Sequence, residues 1–137
     1  MSERSWLVDK SALVRLSVSP EGELWFERVQ RGLVRVTTAT LLAIGYSARS
    51  SSTWRTLIQN APVSLMPIGN LTPRSERRAV AVQGLLAEQG EHRAPSVPDL
   101  LIAAAAELAD LVVLHVDKDF DLIAKITGQP VECLRVE

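Results

Sequence analysis

Six aspartates carry most of the chemistry this sequence can offer: Asp9, Asp99, Asp110, Asp117, Asp119 and Asp121. Asp9 follows directly on the apolar stretch Trp6-Leu7-Val8. Asp117 follows on Leu111 to Val116, which is apolar but for His115. If both stretches are parallel strands, their carboxyl ends share one edge of a sheet, where open α/β folds bind ligands. Asp9 and Asp117 then meet although they lie near opposite ends of the chain. Asp99, in the first turn of a helix opened by Ser96-Val97-Pro98, can face the same edge. Carboxylates gathered in this way repel one another unless protons or cations offset the charge. The donors are oxygens, with one cysteine, Cys133, and no paired histidines. That set points to a hard ion, Mg²⁺, for which Mn²⁺ can substitute.

Each acid also has an ordinary structural use. Asp9 and Asp119 can each cap the helix that follows. Asp99 can favour its helix dipole, an interaction worth roughly 0.3–1 kcal/mol. Asp121 reads as a solvated helix residue and Asp110 as a helix-end or turn residue. Other chemistries find less support. The string Asp117-Lys118-Asp119-Phe120-Asp121 has an EF-hand look, but the turn glycine is Leu122 and the bidentate acid is Gly128. The sequence has no Walker or dinucleotide glycine loop and no HExxH zinc helix. His92 falls in a loop and His115 in a strand, so both read as structural.

The elements that must position the acids alternate along the chain. Strands are expected at Ser5 to Asp9, Leu33 to Thr37, Val63 to Met66, Leu111 to Val116 and Pro130 to Leu134. Helices are expected at Lys10 to Ser17, from Pro20 to Gly32, from a Thr38 or Thr40 cap toward Ser50, and over Thr53 to Asn60. Three more follow: Thr72-capped to about Gln89, Ser96 to Asp110, and Asp119 to Thr127. Pro73 suits the first position of its helix. This alternation predicts an α/β domain with a mainly parallel sheet and right-handed crossovers. At 137 residues and 47% apolar, one domain over 1–137 is expected, burying roughly two-thirds of its unfolded surface.

Charge sharpens the picture. The net charge of −1 does not suggest a general nucleic-acid coat, which is normally strongly basic. Yet no acid falls between Glu27 and Glu76, where Arg28, Arg31, Arg35, Arg49, Arg55 and Arg74 all lie. A basic middle beside an acidic focus fits an enzyme that handles a polyanion through metal ions, and solvated arginines scattered over helix surfaces fit the same charges equally well. The longest apolar run, Leu100 to Ala106, is far too short to span a bilayer. A reduced, cytoplasmic protein without a membrane segment is expected.

Four segments then resemble, in order and spacing, the PIN-domain ribonuclease toxins of the VapC type. They are Leu7-Val8-Asp9-Lys10-Ser11-Ala12, Thr37-Thr38 with Leu41 to Arg49, Val97 to Ala104, and Leu114 to Asp121. The resemblance implies a PIN-like fold and the toxin half of a toxin–antitoxin pair. It also implies homodimers, a VapB-type antitoxin partner and Mg²⁺-dependent hydrolysis of RNA. Carried over by position, Asp9, Asp99 and Asp117 are metal-site carboxylates and Asp119 a further contributor. Arg49, Arg55 and Lys118 become candidate phosphate contacts. One position departs from the pattern: Ala43 stands where the family has a glutamate, so this chain is expected to be weakly active. A catalytically inactive module that binds antitoxin or RNA is the alternative. A phosphoacceptor receiver domain, also doubly wound, fits less well because it wants paired acids after the first strand and a late lysine at a strand end.

Overall fold

A computed structural model describes residues 4–136. The strands are β1 (Trp6–Val8), β2 (Val34–Arg35), β3 (Val112–His115) and β4 (Val131–Cys133). They form a parallel sheet in the order β2-β1-β3-β4. The helices are α1 (Lys10–Leu13), α2 (Gly22–Gln30), α3 (Thr38–Tyr46), α4 (Ser51–Gln59), α5 (Pro73–Glu88), α6 (Val97–Leu108) and α7 (Lys118–Thr127). The expected α/β class with a parallel sheet is what the chain adopts. After β1 the chain turns to β2 on one side, and after β3 it turns to β4 on the other. The crevice between β1 and β3 is therefore the switch point of the sheet.

Successive strand residues face opposite sides of a sheet, and the core divides accordingly. Trp6, Val8, Val112 and Leu114 pack with Trp25, Val29 and Val34 on one face. Leu7 and Val113 pack on the other, against α5, α6 and α7, with Leu86, Ile102, Phe120 and Ile123 fully buried there. Each such side chain contributes about 1.5–3 kcal/mol by leaving water. Ala103 to Ala106 are all buried, so the small side chains let α6 lie close to the sheet. Arg78 of α5 holds α6 through paired hydrogen bonds to Glu107, at 2.8 and 3.1 Å.

Several expected boundaries move. Val63 to Met66 is no strand: Val63–Leu65 is a 3₁₀ turn, closed by Leu65 N–H donating to the Pro62 carbonyl. Val63 and Met66 are buried while Ser64 and Leu65 are exposed, a spacing of three rather than alternation. The helix expected over Lys10 to Ser17 stops at Leu13 and resumes as a 3₁₀ turn at Leu16–Val18. Thr37 caps α3, not Thr38 or Thr40; the Thr40 amide is the group it receives, at 3.1 Å. Ser50 caps α4, which therefore starts before Thr53. Among the described residues no helix is long and apolar enough to cross a membrane.

Candidate active site

Helices begin where parallel strands end, so the carboxyl edge of this sheet gathers helix N-termini. Their unpaired N–H groups and dipoles favour acids there. Asp9 caps α1, accepting from the Ser11 amide at 3.0 Å. Asp117 caps α7, accepting from the Asp119 amide at 2.9 Å. The expected cap role of Asp119 thus belongs to Asp117. Asp99 is the third residue of α6 in a capping box with Ser96, whose amide donates to Asp99 Oδ2 at 3.1 Å. The structural uses of Asp9 and Asp99 are real, and they coexist with convergence at one edge.

Convergence is tightest for Asp99, Asp117 and Asp119, whose carboxylates each offer an oxygen within 4.8 Å of the others. Asp9 stands outside that trio. It shares a cavity of about 460 Å³ with Asp99, Lys10, Ser11, Thr40 and Ala43. Ala43 therefore lies on the wall that Asp9 and Asp99 also line. Register explains the placement of Asp9. Val8 is opposite Leu114, and the Asp9 amide donates to the Leu114 carbonyl at 2.9 Å. Arg49 and Arg55 are exposed and do not line this cavity, while Lys118 is exposed at the first position of α7.

The electrostatics are those of acids kept partly from water. Burial holds the Asp99 carboxyl above the ordinary carboxylate range; the charges of Asp9 and Asp117 add to the effect, and the Ser96 hydrogen bonds oppose it. Burial raises Asp119 too, with Asp117 adding and Lys118 opposing. His115 moves the other way: burial pushes it below its usual value, against the pull of Asp121, Asp9 and Asp117. A cation placed among the carboxylates would relieve what burial and repulsion impose on Asp99 and Asp119.

Two residues at this edge make contacts that the sequence does not assign, and a third is structural, as expected, through a specific contact. Ser11 Oγ donates to Asp9 Oδ2 at 2.6 Å and accepts from the Val116 amide at 2.9 Å, tying the ends of β1 and β3 together. Its signal was the hydroxyl two places after Asp9. Lys10 reaches across to the Ala43 carbonyl at 3.4 Å, a contact no local pattern announces. The third is His115, whose Nδ1 accepts from the Asp117 amide at 3.1 Å. Its signal was being the lone polar residue of an apolar strand.

No protein-family model matches the chain. Ribonuclease VapC2 of Mycobacterium tuberculosis (strain CDC 1551 / Oshkosh) is 56% identical over 134 residues, 98% of this chain and 95% of that protein. The chain belongs to the VapC family. Ribonuclease VapC51 of Mycobacterium tuberculosis (strain ATCC 25618 / H37Rv) is 42% identical over 125 residues, 91% of this chain and 89% of that protein. Among solved structures, DNA-bound VapBC from Salmonella typhimurium superposes with a TM-score of 0.76 at 17% identity, covering 96% of this chain and 98% of that one. VapBC-5 from Mycobacterium tuberculosis gives 0.67 at 23% identity, covering 98% and 100%. At such identities the structural likeness speaks for the fold.

Proposed function

We propose that this VapC-family chain is the toxin half of a toxin–antitoxin pair, an Mg²⁺-dependent endoribonuclease whose activity is lowered by Ala43. One observation carries the reading: three carboxylates within 4.8 Å of one another at the switch point of the sheet, in a chain 56% identical to a named ribonuclease. An all-oxygen donor set fits a hard dication, Mg²⁺ or in its place Mn²⁺. Asp99, Asp117 and Asp119 would hold the ion. Asp9, with Oδ2 engaged by Ser11, would add a coordination place or orient the attacking water. A dication bound there supplies charge relief on a phosphate oxygen and makes a bound water more acidic.

The remaining parts follow the same logic. Arg49, Arg55 and Lys118 would contact RNA phosphates, which positions a strand without reading its sequence. The solved relatives are VapBC complexes, which supports a VapB-type antitoxin as partner. An antitoxin Arg or Lys beside Asp9 and Asp117 would neutralise the acids through charge-assisted hydrogen bonds. The working form is a cytoplasmic homodimer when free of antitoxin.

The test rests on Ala43. Its methyl group lines the cavity that Asp9 and Asp99 also line, and a glutamate there would bring a further carboxylate to it. Ala43→Glu is expected to raise Mg²⁺-dependent RNA cleavage and growth toxicity by about 10–100-fold, the scale of restoring one partner at a metal site. If the folded, antitoxin-free variant cleaves no faster than the parent and is equally harmless, the nuclease assignment of this site is wrong. The methyl at position 43 also favours a second reading, an inactive module that holds antitoxin or RNA through the same pocket. That reading requires undiminished partner binding by a chain that cleaves nothing with or without Mg²⁺.

A further inference from the structure

His115 ends β3, fully buried, with its ring against Phe120 at a centroid distance of 5.3 Å. Beyond it the sheet ladder runs out. The Asp9 amide already binds Leu114, and the two amides that leave β3 have no strand to donate to. Side chains receive them instead: Ser11 Oγ takes Val116 N–H at 2.9 Å, and His115 Nδ1 takes Asp117 N–H at 3.1 Å. A backbone amide only donates, so Nδ1 carries the lone pair and the ring proton resides on Nε2. Nε2 is buried without a hydrogen-bond partner among the described residues, 3.8 Å from Asp121 Oδ1. The strand therefore buries an imidazole at some cost, although an aliphatic side chain would fill the place without a polar atom to satisfy.

We propose that His115 is a positioning residue for Asp117: its Nδ1 fixes the Asp117 backbone and, through it, the carboxylate cluster. The Asp117 carboxylate accepts the Asp119 amide at 2.9 Å, so an error at the Asp117 peptide passes to both acids that stand beside Asp99. The part of this inference that concerns metal rests on the proposed function above. The part that concerns the amide stands without it. What the position requires is an acceptor at the δ atom of the side chain. Asparagine supplies one in Oδ1, whereas leucine fills the volume and supplies none.

Stability and function should then rank two variants in opposite orders. His115→Leu keeps the core filled, and removing the unpaired Nε2–H offsets the acceptor lost to the Asp117 amide, so it should melt near the parent temperature. Its Mn²⁺ affinity should nevertheless fall about 10–100-fold, as when a group that orients a metal ligand is lost. His115→Asn leaves a small void and should melt lower, yet hold Mn²⁺ within a few-fold of the parent. Hydrogen exchange on the metal-free proteins reads the same contact directly. The Asp117 amide should lose protection in His115→Leu and keep it in His115→Asn, and the parent's ring nitrogens should show the Nε2–H tautomer by ¹⁵N NMR. Mn²⁺ affinities that follow melting temperature, or equal protection of the Asp117 amide in both variants, would overturn the proposal. If the parent binds no Mn²⁺ at all, the metal reading fails and the exchange data alone decide the positioning role.

Discussion

The sheet has two ends, and the larger cavity lies at the one with less chemistry. At the edge where strands start, about 680 Å³ of space is lined by Arg4, Arg35, Asn70, Asp110 and the beginnings of β3 and β4. At the edge where strands finish, about 460 Å³ is lined by two acids, Asp9 and Asp99, with Lys10, Arg15, Ser11, Ala43 and Ser96. The first holds arginines beside one acid that belongs to the turn after α6, where Asp110 takes a left-handed backbone at φ 58. The second is framed by the starts of α1 and α6, with α7 beside it. Each of these N-termini carries an acid whose own hydrogen bonds fix its direction. Chain direction, not volume, decides where charge can be concentrated: carboxylates suit helix starts and are disfavoured at helix ends.

The sharpest way to break this comparison is to remove one acid from each edge's neighbourhood and titrate Mn²⁺. Asp99→Asn and Asp117→Asn should each weaken Mn²⁺ binding tenfold or more, since loss of even an orienting partner costs about 10–100-fold. Asp110→Asn, at the opposite edge, should leave the affinity unchanged. Calorimetric titration measures all three. Equal effects of the three substitutions would mean that the two edges do not differ as metal sites.

Next in size is the tie between the strand ends. Ser11→Ala removes the hydroxyl that donates to Asp9 and leaves the Val116 amide without its acceptor. An unsatisfied group of this kind costs about 1–3 kcal/mol. The urea midpoint should fall accordingly, with the slope of the transition unchanged. Ser11→Thr, which keeps the hydroxyl, should recover most of the loss. A Ser11→Ala protein as stable as its parent would show that β1 and β3 hold their edge without this bridge.

How much of this was legible from residues alone follows from which contacts are local. Asp9 and Asp117 announced themselves because each ends an apolar strand, and parallel strands must finish together. Thr72 was legible as a cap because a cap is a contact between near neighbours in sequence, and it forms a capping box with Ser75. The 3₁₀ turn at Val63–Leu65 was not, since a short apolar run between Pro62 and Pro67 fits strand and turn alike until burial shows the spacing. The proximity of Asp119 to Asp99 was equally hidden. It depends on how α6 and α7 lie on the same face of the sheet, which neither helix records in its own sequence. Ser11 and His115 were visible as residue types but not as bridges, because their partners are set by where β1 stops relative to β3.

The smallest effect separates the acid edge from an ordinary set of caps, and it concerns stability rather than activity. Asp99 binds its proton more tightly in the folded chain than in the unfolded one, because burial and the neighbouring acids raise it. Between the ordinary carboxylate value and the raised one, the folded state holds more protons, so stability falls as pH rises through that window. Asp99→Asn removes the charge yet keeps an oxygen to accept from the Ser96 amide. Without metal, Asp99→Asn should therefore be slightly more stable than the parent at pH 7, and the advantage should shrink as the pH is lowered into the carboxylate range. His115 runs the other way, losing stability as the pH drops below about 6.5, but it is present in both proteins and largely cancels in the difference. Saturating Mn²⁺ should invert the order, because a ligand at 100 times its dissociation constant stabilises the parent by about 2.7 kcal/mol and the variant by less. Thermal denaturation of both proteins across pH, with and without Mn²⁺, reads the inversion. A plain helix cap predicts the opposite pattern at pH 7: Asp99→Asn less stable than the parent without metal, and no response of either protein to Mn²⁺.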